Sequence, residues 1–281
     1  MSSKQPLDRL KQLLAECVKA SGFPFQAKIQ NLIESNSKWK VLATECPWRH
    51  EGREEFLDMI AYHNNIHLVI ECKKSGVLKD TKTKYGLEWF AGAPKRSFVF
   101  LCRSNDNDTY EETGRALVTY CREEDYDDEP DFVYGAQAEQ WQFEPKSYEA
   151  GLCVTVDAES PKEMLERELS LLVRGCHEYA RSMYGYLSGV GAHITEVFLP
   201  VFVTTSPLFV LNYRPDQVAV EDGKFKLEPD EIRQVPWVRF RKALMAEGLQ
   251  TSDERTVIVV EARHFEEFLK QFSVIPTTQN V

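Results

Sequence analysis

Apolar residues near the start of the chain recur with helical spacing. Leu7, Leu10, Leu13, Leu14, Cys17 and Val18 fall on one face, so residues 5–20 read as an amphipathic helix. Ser21-Gly22-Phe23-Pro24 interrupts it, because glycine and proline both disfavour continuing a helix. A second helix is expected over 25–35, with Phe25, Ile29, Leu32 and Ile33 on one face. The period then changes. KWKVLATEC (38–46) alternates up to Pro47, and FLDMIAY (56–62) and HLVIECKK (67–74) are short apolar runs; all three read as strands. A charged turn, RHEGREE, separates the first two, and His63-Asn64-Asn65-Ile66 joins the second and third. Asparagine tolerates left-handed backbone, so residues 56–74 predict a β-hairpin.

Residues 75–96 read as a loop rich in Gly, Lys and Thr, with a short aromatic segment at Trp89-Phe90, and Ser97–Cys102 as a buried strand. Residues 103–131 lack apolar periodicity apart from Ala116–Tyr120 and end in EEDYDDEPD, which predicts an exposed acidic insertion, disordered in part. GLCVTV (151–156) resembles one more strand. Ser160-Pro161-Lys162-Glu163 carries the signals of a helix start, and apolar positions recur from Leu165 to Leu187 until Gly189 and Gly191 end the pattern. Residues 197–205, 207–213, 235–242 and 255–262 are strand-like, and 264–272 predicts a terminal helix. There is no internal repeat. One mixed α/β domain over residues 1–281, with an insertion at about 103–159, is the simplest organisation.

Composition narrows the class. The 281 residues are 43% hydrophobic, enough for a sizeable core. No window approaches the roughly 18–20 apolar residues of a membrane span, and MSSKQPLDRLKQLLAEC lacks the apolar stretch of a secretory signal. A soluble, cytoplasmic protein without a membrane partner is expected. Seven scattered cysteines with no CxxC pair read as free structural thiols rather than a zinc site. The net charge of −10 argues against a nucleic-acid partner, but it is unevenly spread: +5 over residues 1–102, −12 over 103–160 and −3 over 161–281. The local field governs phosphate binding, and the basic segment holds the candidate chemistry.

Side chains alternate across a strand, so Val69, Glu71 and Lys73 share one face and Leu68, Ile70 and Cys72 the other. Asp58 interrupts an apolar run, where a charge is costly unless paired or bound to a cation. Antiparallel pairing allows Asp58 to lie across from Glu71. Facing carboxylates repel, and a hard cation such as Mg²⁺ (or Mn²⁺) relieves this with oxygen ligands; the Cys72 carbonyl could complete the shell. Such an ion acidifies a water and stabilises charge on a phosphoryl oxygen. Lys73 could orient the attacking water or neutralise charge in the transition state. Lys74, Lys79, Lys82 and Lys84, with Lys95 and Arg96 beyond them, could track a nucleic-acid backbone; a solvated loop explains them equally well. His63 and His67 flank the hairpin turn and read as surface residues.

These residues resemble the PD-(D/E)XK nuclease superfamily, which includes restriction endonucleases and archaeal Holliday-junction resolvases. FLDMIA followed by LVIECKK is similar to its motif, and FPFQAKIQNLI resembles the helix that opens its fold. PKRSFVFL, the long helix and the next strand fit its order, αβββαβ, and TVIVVEARHFEEFL resembles the strand–helix ending of some bacterial members. The resemblance covers roughly residues 20–102 and 160–205. It implies an α/β fold with a restriction-endonuclease-like αβββαβ core, a mixed central sheet flanked by helices, an acidic insertion and a C-terminal strand–helix extension. It implies a Mg²⁺-dependent endodeoxyribonuclease of restriction, defence or repair type acting on DNA, alone or with a protein partner or as a homodimer. Asp58 and Glu71 fall on the metal ligands and Lys73 on the lysine. Leu57 stands where the name-giving proline would be. Gln26 stands where many relatives have a glutamate on the first helix, and Glu34 and Glu45 are alternative carboxylates. Two other expectations are a non-catalytic member of this fold that binds nucleic acid or protein, and an interaction protein working through its acidic insertion.

Overall fold

The computed structural model describes residues 4–50, 52–76, 95–103, 113–115, 118–126, 129–137, 141–157, 165–190, 195–213, 231–244 and 253–276. Helices α1 (Lys4–Ala20) and α2 (Phe23–Glu34) lead into β1 (Lys40–His50), β2 (Arg53–His63) and β3 (Ile66–Lys73). Then come β4 (Arg96–Arg103), β5 (Thr113–Arg115), β6 (Val118–Tyr126), β7 (Glu129–Gln137), β8 (Trp141–Ser147), β9 (Glu149–Ala150) and β10 (Leu152–Asp157). After α3 (Leu165–Val190) follow β11 (Glu196–Thr204), β12 (Leu208–Tyr213), β13 (Ile232–Val235), β14 (Trp237–Leu244) and β15 (Asp253–Glu261). A 3₁₀ turn (Ala262–His264), α4 (Phe265–Gln271) and β16 (Ser273–Pro276) end the described chain. The fold is mixed α/β, with most of its core in sheet. No helix among the described residues is long and apolar enough to cross a membrane.

The main sheet runs β1-β2-β3-β11-β15-β14-β9, and β6, itself paired with β7, also joins β11. At its centre β11 is parallel to both β3 and β15. All nine residues of β11 are buried, as expected of a strand covered on both faces. Pro200 sits mid-strand without breaking it. The Val197 and Thr205 N–H groups bond to the β3 side, at Asn65 and Lys73, so by alternation the Pro200 nitrogen points the other way. There it meets the gap between β6, paired with Glu196–Phe198, and β15, paired with Val201–Thr204. No ladder bond is lost, which is the condition for proline inside a sheet.

Each face of this sheet has its own core. Against one face, Leu68, Ile70, Leu199 and Val201 pack with Ile29 and Ile33 of α2 and Phe268 of α4. Against the other, Ile60, Val69, Phe198 and Phe202 pack with Leu169, Leu172 and Cys176 of α3 and with Phe98 and Phe100 of β4. α1 is amphipathic as its sequence predicts, but its apolar side chains Leu13, Leu14 and Val18 stay exposed.

Several elements differ from the sequence reading. Pro47 does not end β1, because β1 is the edge of the sheet and an edge tolerates a missing N–H. The turn after it tightens at Gly52, whose φ of 76° favours glycine. β4 joins a second sheet, β10-β4-β12-β13, where the resemblance implied one central sheet. The segment read as an exposed insertion contains a core strand: Val118, Thr119, Tyr120 and Cys121 are buried, and the last three pair with β11. Helix α3 continues through Gly189 to Val190, while its expected start at Ser160-Pro161 and the aromatic segment at Trp89-Phe90 lie outside the described residues.

Candidate active site

The hairpin is built from the turn outward. Asn64 takes left-handed φ at 56°, and pairing follows from His63↔Ile66 to Met59↔Ile70. One more step would set Asp58 opposite Glu71, but the ladder stops at Met59. Leu57 and Ile60 lie in the same core while Met59 and Ala61 lie in the other. Strict alternation would group Leu57 with Met59, so β2 is irregular at Asp58. The Asp58 carboxylate reaches past its partner position, and Oδ2 accepts from the Cys72 N–H at 2.6 Å. On β3 the predicted alternation is observed. Val69 belongs to the α3 face and Leu68, Ile70 and Cys72 to the opposite one, so Glu71 and Lys73 face α3.

Two further carboxylates approach this point. Glu45, on β1, has φ 51°, a left-handed conformation that costs a non-glycine residue on the order of 1 kcal/mol and is concentrated at functional sites. Its Oε1 accepts from Gln26 Nε2 at 2.6 Å, and the same amide donates to the Asp58 main-chain carbonyl at 3.1 Å. Gln26 of α2 thereby ties β1 to β2 at the site. From α3, Glu168 Oε1 lies 3.2 Å from Lys73 Nζ and 3.7 Å from Arg96 Nη1.

The resulting field is strongly acidic. Burial pushes the Asp58 carboxyl up to about 6; the Cys72 N–H and Lys73 oppose this, and Glu45 adds to it. Burial also pushes Glu71 up to about 8, helped by Asp58, Glu168 and Glu45 and opposed by Lys73. Crowded carboxylates of this kind are what a divalent cation relieves, and perturbed acids cluster at functional sites.

Asp58, Glu71, Lys73 and Gln26 are thus brought to one place. Glu45, named only as an alternative, joins them, whereas Glu34 accepts from Gln30 on the exposed side of α2. Lys74 is exposed at the end of the hairpin, and Lys79, Lys82 and Lys84 lie outside the described residues. His67 corrects its reading as a surface residue. It is 2% exposed, because it shares the α3 face with Val69 and stacks on Phe198 with ring centroids 4.6 Å apart. Glu168 was missed. Its signal was present: residues 165, 168, 169 and 172 have i, i+3, i+4, i+7 spacing, so a glutamate stands in the buried stripe of α3.

Among the described residues no group of three or more His, Cys, Asp and Glu is arranged to hold a metal ion by itself. The donors at the site nevertheless suit Mg²⁺, which takes oxygen ligands and keeps several waters, so that one or two carboxylates suffice. No family model, curated protein or solved structure matches this chain.

Proposed function

We propose that the chain is a divalent-cation-dependent nuclease that hydrolyses phosphodiester bonds in DNA, built on a restriction-endonuclease-like αβββαβ core. The observation that carries this reading is the convergence of Asp58, Glu71 and Lys73, with both acids raised by burial and mutual repulsion. The order α2, β1–β3, α3, β11, with β11 parallel beside β3, supports the fold assignment.

In this reading Asp58 and Glu71, with the Cys72 carbonyl, would hold Mg²⁺, which would supply an acidified water and stabilisation of phosphoryl charge. Gln26 fixes the backbone of Asp58 and restrains Glu45 behind it. The Cys72 N–H orients the Asp58 carboxylate through Oδ2. The Lys73 ammonium donates from Nζ to the attacking water or to the phosphate oxygen on which charge develops. Lys74 and the lysines at 79, 82 and 84 contact the backbone electrostatically, which makes binding salt-dependent.

The test is cleavage of plasmid DNA with Mg²⁺ or Mn²⁺. Lys73→Ala and Asp58→Ala are each expected to lower turnover by about 10²-fold or more. Equal activity in the two variants and the wild type removes the assignment. A non-catalytic binding module of the same fold is the second reading, favoured by the Gln26 amide where a carboxylate would bind metal. It predicts no calorimetric signal at millimolar Mg²⁺ or Mn²⁺.

A further inference from the structure

We propose that Glu168 is a positioning residue for Lys73, an inference that rests on the nuclease reading for its catalytic consequence but not for its geometry. Glu168 Oε1 lies 3.2 Å from Lys73 Nζ and 3.7 Å from Arg96 Nη1, so one carboxylate oxygen from α3 serves cations on β3 and β4. The Lys73 side chain is 45% exposed, and a flexible four-carbon stem in that setting populates many rotamers unless something holds its end. Glu168 is the better anchored partner. It is 24% exposed, and Leu165, Leu169 and Leu172 around it on α3 are buried, so its carboxylate is presented from a rigid element.

The placement also solves a competition. Lys73 is close enough to Asp58 and Glu71 to lower the pKa of both. A direct ion pair with Glu71 would neutralise that carboxylate and occupy the place of a cation. Among the described residues, the ion pair of Lys73 is instead with Glu168. The ammonium stays at the cluster, and among the described residues it makes no ion pair with Asp58 or Glu71. This accounts for a charged residue in the core stripe of α3, a position where charge is otherwise costly. Among the described residues, buried Glu168 Oε2 has no hydrogen-bond partner, so the ion contacts of Oε1 are what engages this carboxylate.

The experiment reads Lys73 directly. The acylation rate of Lys73 by acetic anhydride, followed by peptide mass spectrometry, is expected to rise about three- to five-fold in Glu168→Gln, as the ammonium loses its ion pair. Glu168→Asp, which keeps the charge and shortens the reach, is expected to rise less. It also stands in if the glutamine variant does not fold. In cleavage assays Glu168→Gln is expected to lower kcat by about ten-fold with KM little changed, and Glu168→Gln combined with Lys73→Ala to be no slower than Lys73→Ala alone. An acylation rate equal to wild type in both Glu168 variants overturns the proposal, as does a double variant that multiplies the two losses. If the wild type cleaves nothing while acylation changes as expected, the nuclease reading fails and the positioning of Lys73 stands.

Discussion

The two ends of β3 carry polar clusters on the same face, beneath the same helix, and they are built on opposite terms. At the amino end, His67 Nε2 lies 3.1 Å from Glu196 Oε2, and the Tyr179 hydroxyl 3.3 Å from His67 Nδ1. The imidazole stacks on Phe198 at 4.6 Å and meets Tyr62 at 4.8 Å between ring centroids. One carboxylate, one imidazole and one phenol satisfy one another. At the carboxyl end, Glu45, Asp58, Glu71 and Glu168 face Lys73 and Arg96, both central acids are pushed up, and among the described residues a Glu168 oxygen has no hydrogen-bond partner. A satisfied buried network rigidifies a fold. A crowded, under-neutralised one costs stability, and folds keep such violations chiefly at sites that do chemistry.

Breaking the amino-end network has the largest expected effect on stability. His67→Ala leaves the carboxyl group of Glu196, a residue only 5% exposed, without this hydrogen-bond partner, and leaving a buried polar group unpaired costs about 1–3 kcal/mol. Urea unfolding of this variant measures it. A loss below ~1 kcal/mol would mean that the two ends do not differ as described.

The carboxyl end makes a prediction of smaller size and opposite kind. Glu71 is raised from the ordinary 4.5 to about 8 and Asp58 from 3.8 to about 6. Between those limits the folded state binds more protons than the unfolded one, so the site's contribution to stability falls as pH rises through the window. Without divalent cations, the wild-type melting temperature is expected to drop by several degrees more than that of Glu71→Gln between pH 5 and pH 8. Mg²⁺ is expected to restore it at pH 8 in the wild type, and by less in the variant. Identical pH profiles for the two proteins would show that Glu71 is not under strain.

The contrast between the ends was only half legible in the sequence. The period-2 pattern of HLVIECKK correctly placed Glu71 and Lys73 together, and the Asn64-Asn65 turn fixed the hairpin, because alternation and turn chemistry are local properties. The Asp58 position was less readable. Its facing of Glu71 assumed a regular ladder, whereas β2 is irregular there and the carboxylate bonds to the Cys72 N–H instead. Glu45 reaches the site through a left-handed backbone that no residue type in ATEC announces. His67 looked superficial because it adjoins a turn; its burial comes from Phe198 and Tyr179, more than 100 positions away in the chain. The core strand at Val118–Cys121 was hidden for a similar reason. Its apolar run is short, and the acidic residues after it dominate the composition.

The smallest predicted effect is the most discriminating about whether the two ends act separately. Burial pushes the Tyr179 phenol well above its ordinary range, and its hydroxyl lies 3.3 Å from Nδ1 of the imidazole whose Nε2 meets Glu196. Tyr179→Phe keeps the ring and its edge contacts with His67 and Phe198, at 5.7 and 5.8 Å between centroids. It removes the hydroxyl that Nδ1 meets, at a cost of about 1 kcal/mol. Because the loss is confined to the amino end, the divalent-cation response at pH 8 should match wild type. A Tyr179→Phe protein with normal stability would remove this hydroxyl from the network. One with a changed response to Mg²⁺ would show that α3, which carries both Tyr179 and Glu168, couples the ends of the strand it covers.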